Sequence, residues 1–130
     1  MPCYAPCVVT EPRGLHRALS DAFNAGDLEA LLSLYEPTAA FVVRPGHVTE
    51  SEAELRAALE RLLALRGRLA VDPNTFIRSD DLVLVQGTFT LSGSRRDGTP
   101  FERTSRFVDV LRRQSDGRWL IAVDNPYGGE

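Results

Sequence analysis

Asp109 and Asp124 are the two residues of this chain best placed to do chemistry. They flank Asp116-Gly117, a dipeptide that favours a two-residue hairpin turn. With such a turn Gln114 pairs with Trp119 and Asp109 falls opposite Asp124. Directly opposed strand positions hold their Cβ atoms about 5 Å apart. Two carboxyl groups that close in a poorly hydrated cavity cannot both ionise cheaply, so one keeps its proton and can act as an acid or a hydrogen-bond donor. The competing arrangement leaves Asp124 solvated near the strand end, or capping the turn before Pro126.

The same register argument at Asp97-Gly98 sets Gln86 opposite Asp109, Thr88 opposite Phe107 and Thr90 opposite Ser105. One sheet face is then expected to carry Gln86, Thr88, Ser105 and Phe107 beside the two aspartates, as the ligand-contacting wall. Arg44, next to Pro45-Gly46, is either a cavity-mouth cation for a carboxylate ligand or a solvated loop arginine. Tyr35 and Phe107 read as core or cavity wall. His47 belongs to the same exposed loop as Arg44. His16, between the apolar rows of the first helix, reads as a partly buried, hydrogen-bonded histidine rather than a catalytic one. Cys3 and Cys7 with two scattered histidines are too few ligands for a metal site, so neither metal nor cofactor is expected. No Ser-His-Asp set or phosphate loop is visible.

The elements that must position these residues follow from periodicity. Leu15, Ala18, Leu19, Ala22 and Phe23 make one helical stripe between Pro12 and Gly26. Asp27 can cap a short second helix carrying Leu28, Leu31, Leu32 and Tyr35, stopped by Pro37. A strand is predicted over Ala39–Val43. Thr49 and Glu52 suggest a capping box for a third helix with Leu55, Ala58, Leu59, Leu62 and Leu63 on one face. From Arg68 the period becomes two, predicting strands near Leu69–Arg78, Leu82–Ser92, Phe101–Gln114 and Trp119–Asp124. The fold class is α+β: three N-terminal helices on a curved, mainly antiparallel sheet.

At 130 residues the chain is one domain, read as a flexible segment 1–11 followed by a single domain over 12–130. Its 43% hydrophobic and 25% charged residues are those of an ordinary globular protein. Every apolar run is too short to span a bilayer and the N-terminus has no signal-peptide pattern, so the expected location is the cytoplasm. A net charge of -3 argues against nucleic acid or anionic membrane as partner. All 15 basic residues are arginine, which excludes lysine Schiff-base chemistry.

The second sheet face is expected to collect Val83, Val85, Phe89, Leu91, Val108, Val110, Trp119, Ile121 and Val123. Three short helices can cover only one face. A homodimer packed through the outer, apolar face is therefore expected.

The segments Ala22-Phe23-Asn24-Ala25-Gly26-Asp27-Leu28, Leu34-Tyr35-Glu36-Pro37, Asp116-Gly117-Arg118-Trp119 and Asp124-Asn125-Pro126-Tyr127-Gly128 resemble the nuclear-transport-factor-2-like superfamily. The likeness runs from about Pro12 to Tyr127. It is strongest to the small stand-alone bacterial proteins with SnoaL-like and ketosteroid-isomerase-like domains. It implies a cystatin-like cone, often homodimeric, whose cavity holds a small hydrophobic molecule. It does not carry over an isomerase set: Leu19 stands where that enzyme has its tyrosine, Val43 or Arg44 where it has its base, and only Asp109 matches its late aspartate. Two readings remain. One is a cofactor-free pocket protein for a small apolar or weakly acidic ligand, with Asp109 and Asp124 as its acid–base pair. The other is a non-catalytic dimeric scaffold whose cone is closed by Leu59, Leu62, Leu63 and Phe107.

Overall fold

The apolar stripe of the first helix buries against a six-stranded sheet and the helix that follows it. The computed structural model describes residues 9–128. A single 3-10 turn, Pro12–Gly14, leads into α1 (Leu15–Asn24), followed by α2 (Leu28–Leu32), β1 (Tyr35–Arg44), β2 (His47–Val48), α3 (Glu52–Ala64), β3 (Arg68–Ser79), β4 (Leu82–Ser94), β5 (Pro100–Arg113) and β6 (Trp119–Asn125). The spatial order is β2-β1-β6-β5-β4-β3. Only β1 and β6 run parallel; the other pairs are antiparallel. α1 packs on β3 and α2, and α3 packs on β1. The buried core joins Leu15, Phe23, Leu31 and Leu55 of the helices to Val83, Val85, Leu111 and Ile121 of the sheet. Among the described residues no helix is long and apolar enough to cross a membrane.

Several expected boundaries move for identifiable reasons. Tyr35 is not the last stripe position of α2 but the first residue of β1, where it is buried opposite Ile121. Pro37 lies inside β1, within the register break between Tyr35 and Ala40, where a residue without an N–H leaves no ladder bond unmade. The cap of α3 is Ser51, whose hydroxyl accepts from the Glu54 N–H, two residues beyond the expected Thr49. Thr49 is buried instead, with Oγ1 accepting from Phe41 N–H and donating to Ala39 C=O. Val9, within the expected flexible segment 1–11, is buried, and its carbonyl accepts from the Trp119 backbone N–H at 2.8 Å. Cys3 and Cys7 lie outside the described residues.

Both hairpin loops are one residue longer than a two-residue turn. Arg95 pairs with Thr99 across Arg96-Asp97-Gly98; Asp97 accepts from the Thr99 N–H and Gly98 sits at φ +88°. Every β4–β5 pair therefore slips by one: Val85 faces Asp109, Gly87 faces Phe107 and Phe89 faces Ser105. A one-residue slip reverses a whole strand. Gln86 and Thr88 consequently point away from the side that holds Asp109 and Phe107. The loop Ser115-Asp116-Gly117 is likewise three residues, which pairs Trp119 with Arg113 instead of Gln114. A bulge beyond Leu111, which pairs with Ile121, restores the expected register at Val110 and Val123, so Asp109 does face Asp124. The bulge also turns Trp119 and Ile121 into the core, where they are 2% and 0% exposed.

Gly87 shows how tightly the sheet closes over this region. A Cβ there would run into the Asp72 carbonyl, into Pro73 and into the Phe107 ring. Gly87→Ala is expected to lower the unfolding free energy by roughly 1–3 kcal/mol, measured by urea denaturation.

Candidate functional site

Between α1, α3 and the concave face lies a cavity of about 300 Å³. Its wall is largely apolar, with Leu19 and Phe23 from α1, Leu59 and Leu62 from α3, and Phe89, Leu91 and Phe107 from the sheet. His16, Leu19 and Phe23 follow the i, i+3, i+7 spacing of a stripe turned slightly from that of Leu15, Ala18 and Ala22, and this stripe is the one that meets the cavity.

Four polar side chains form a continuous buried chain on the cavity wall. His16 Nε2 lies 2.7 Å from Asp109 Oδ2, and the Tyr35 hydroxyl donates to Asp124 Oδ2 at 2.6 Å. The two aspartates are directly opposed across β5 and β6, and each bears on the protonation of the other. Asp109 Oδ1 also accepts from the Asn125 N–H at 3.2 Å. Asp109 is 2% exposed and Asp124 8%.

Burial sets the protonation states. Desolvation pushes Asp109 up to about 7, against the hydrogen bonds from Asp124 and the Asn125 N–H that favour its charged form. Asp124 is raised well above the ordinary carboxylate range, first by desolvation, then by the charge of Asp109 and by donating to it. Desolvation lowers His16 to about 4, against the attraction of Asp124. The Tyr35 phenol is raised by desolvation and then by Asp124. The pair titrates as a unit. His16 is then neutral. Its Nδ1 is buried without a partner, which is cheaper for a bare lone pair than for an orphaned N–H, so the proton sits on Nε2 and donates to Asp109. His16 stacks on Phe107 with ring centroids 4.9 Å apart, which holds that orientation.

Of the residues expected from sequence, Asp109, Asp124, Tyr35 and Phe107 meet at the cavity. Ser105 lies on the same strand side as Phe107 but outside the cavity lining. Gln86 and Thr88 are on the opposite side because of the slipped register. Arg44 is exposed at the end of β1 and is not part of the cavity wall; the chain turns away there into the Pro45-Gly46 loop. Val43 lines the cavity in its place. Leu59, Leu62 and Phe107, expected to plug the cone, line it with space left over.

Sequence reasoning missed four contributors. His16 was legible as a buried, hydrogen-bonded histidine, yet its partner proves to be the candidate acid itself. Arg61 and Arg103 also reach the cavity, and Tyr127 closes over it while donating to the Val43 carbonyl at 3.1 Å. A cation on an inward strand position, Arg103 between Phe101 and Ser105, was the available signal. Among the described residues no group of three or more His, Cys, Asp or Glu could hold a metal ion.

The SnoaL-like domain signature matches residues 16–121, a span that begins at His16 and ends within β6. The chain belongs to the SnoaL-like domain family. Solved structures share the fold of this SnoaL-like domain. An NTF2-like protein with a cystatin-like fold from Novosphingobium aromaticivorans aligns with TM-score 0.70 at 19% identity, over 86% of this chain and 75% of that one. A ketosteroid isomerase-like protein from Erwinia carotovora atroseptica aligns with TM-score 0.74 at 18% identity, over 86% and 88%. A Xanthomonas campestris protein named as a candidate calcium/calmodulin dependent protein kinase II association domain aligns with TM-score 0.75 at 20% identity, over 87% and 81%. At such identities the likeness is one of fold, and these names span unrelated roles. Among curated proteins, none matches this SnoaL-like sequence.

Proposed function

We propose that this SnoaL-like domain binds a small, largely apolar molecule in its cone and moves a proton at the ligand's inner end through the Asp109–Asp124 pair. The observation that carries this reading is the buried chain His16–Asp109–Asp124–Tyr35 on an otherwise apolar cavity wall. A structural core gains little from four polar groups that must satisfy one another. A carboxyl pair that shares a proton near neutral pH can both give and take one. Neutral His16 holds Asp109 in place, and a ligand carbonyl or hydroxyl oxygen would draw an O–H of Tyr35 or protonated Asp124 away from its present acceptor within the cluster.

The test uses an apolar enolisable ketone, 2-tetralone, and follows deuterium uptake at its acidic carbon in D2O by proton NMR. The protein is expected to accelerate uptake over buffer. Asp109→Asn should lose about 100-fold or more of that acceleration, the usual scale of a positioned acid or base. Equal rates for wild type, variant and buffer would leave a binding cone without proton transfer.

A second copy of the chain is the natural cover for the convex face. Ile77, Leu84, Val110 and Val123 fall in one hydrogen-bonded row across β3, β4, β5 and β6, pointing away from the cavity. Ile77 is 57% exposed. A row of aliphatic residues across four strands favours sheet-to-sheet association about a twofold axis. This differs from the face expected from sequence, because Val83, Val85, Phe89, Leu91, Trp119 and Ile121 belong to the core side.

A further inference from the structure

The cavity is chemically polarised. Its buried part carries Asp109 and Asp124, whereas its solvent-facing part carries Arg61, exposed in the last turn of α3, and half-buried Arg103 of β5. Neither arginine is in an ion pair among the described residues, although other arginines of the chain find carboxylates. Arg103 is also held in place. Its guanidinium lies 4.3 Å from the centre of the Tyr127 ring and 5.5 Å from that of Phe89, and its Nη2 donates to the Pro126 carbonyl at 3.3 Å. Stacking between two rings orients a planar fork, and a single carbonyl leaves most of its five N–H donors unused.

Resting on the reading of the cone as a small-molecule pocket, we infer that its ligand is an organic acid: an apolar body in the cone, a carboxylate at the mouth on Arg103 and Arg61, and an uncharged polar end at Asp109 and Asp124. The orientation follows from charge. A carboxylate at the inner end would meet the negative charge that the aspartate pair carries once Asp109 ionises, in a region where burial already disfavours charge. At the mouth the same group gains charge-assisted hydrogen bonds from a pre-oriented guanidinium while remaining close to water. Arg103 and Arg61 are thus specificity-determining residues, separate from the groups that move the proton.

The probes are 2-naphthoate and its uncharged isostere 2-naphthamide, compared by calorimetric titration at low ionic strength. Wild type should bind the carboxylate at least tenfold more tightly than the amide. That preference should shrink as salt is raised, since the mouth is open to counter-ions. In Arg103→Met the two affinities should come within about threefold, with Arg61→Met producing a smaller change in the same direction. The salt dependence in wild type decides the question even where a variant folds poorly. Equal wild-type affinities, or a preference that persists in the Arg61→Met, Arg103→Met double variant, would overturn the inference and leave the pocket reading standing. Failure of both probes to bind would remove the pocket reading and this inference together.

Discussion

Asp124→Asn is expected to remove most of the pH dependence of folding. In wild type, Asp109 and Asp124 both hold protons in the folded state that unfolded aspartates, titrating near 3.8, have released. His16 works the other way: folded, it is lowered to about 4, while the unfolded imidazole keeps its proton up to about 6.5. Between about pH 4 and 6.5 the folded state therefore binds a net excess of one proton. Stability should fall as pH rises, by about 1.4 kcal/mol per pH unit. Near pH 7 Asp109 ionises, and the slope persists for as long as Asp124, also raised, keeps its proton. The asparagine can still accept from Tyr35 and donate to Asp109, so the network survives while its most strongly raised group is gone. Asp109 and His16 then nearly cancel below pH 6.5. The variant should gain on wild type by about 1.4 kcal/mol per unit from pH 4 upward. Urea denaturation of both proteins at pH 5, 6, 7 and 8 measures this. Parallel curves would mean that Asp124 ionises in the fold as freely as in the unfolded chain.

The second large effect separates folding from association. Trp119 is buried beneath the Arg78 and Arg113 guanidinium groups, which lie 5.1 and 5.8 Å from its ring centre, and its N–H donates to Val9. Trp119→Arg puts an unpaired cation in the core and removes the largest side chain there. The loss should exceed the roughly 3–5 kcal/mol typical of truncating a buried tryptophan and leave little folded protein by circular dichroism. Val110→Glu, in the middle of the outward aliphatic row, should keep the circular dichroism and cavity of wild type while converting a dimer to a monomer in light scattering. A wild type that is monomeric at micromolar concentration would dispose of the dimer.

The elements of this fold were legible because each has its own local pattern. The stripe from Leu15 to Phe23, Asp27 as an N-cap and the period-two strands after Arg68 match α1, α2 and β3–β6 closely. The motifs around Asn24-Ala25-Gly26-Asp27 and Asp116-Gly117-Arg118-Trp119 led to the SnoaL-like resemblance that the domain match then established. Boundaries were less secure where two signals competed. Tyr35 continues the helical spacing of α2, but Leu34 is drawn into the core and accepts from the Ile121 N–H, so the chain is already extended there.

The opposition of Asp109 and Asp124 was anticipated by an argument whose starting turn was wrong. The loop is three residues long, and the bulge next to Leu111 cancels the error before Asp109 is reached. No such bulge compensates β4 against β5, and Gln86 and Thr88 were accordingly assigned to the wrong side. Asp-Gly suits both a two-residue turn and a three-residue loop with glycine at positive φ, so local chemistry cannot choose between registers that differ by one.

By itself, then, the sequence determined the fold class, the order of its main elements, its SnoaL-like family and the two acids most worth watching. These depend on short-range periodicity, capping and turn residues. Tertiary structure decided which side of each strand faces the cavity and joined His16 and Tyr35 to the acid pair. It also left Arg44 in solvent and turned Trp119 inward. Those outcomes depend on loop length, a bulge and contacts between residues as far apart as His16 and Asp109. A single residue of register is enough to reverse them.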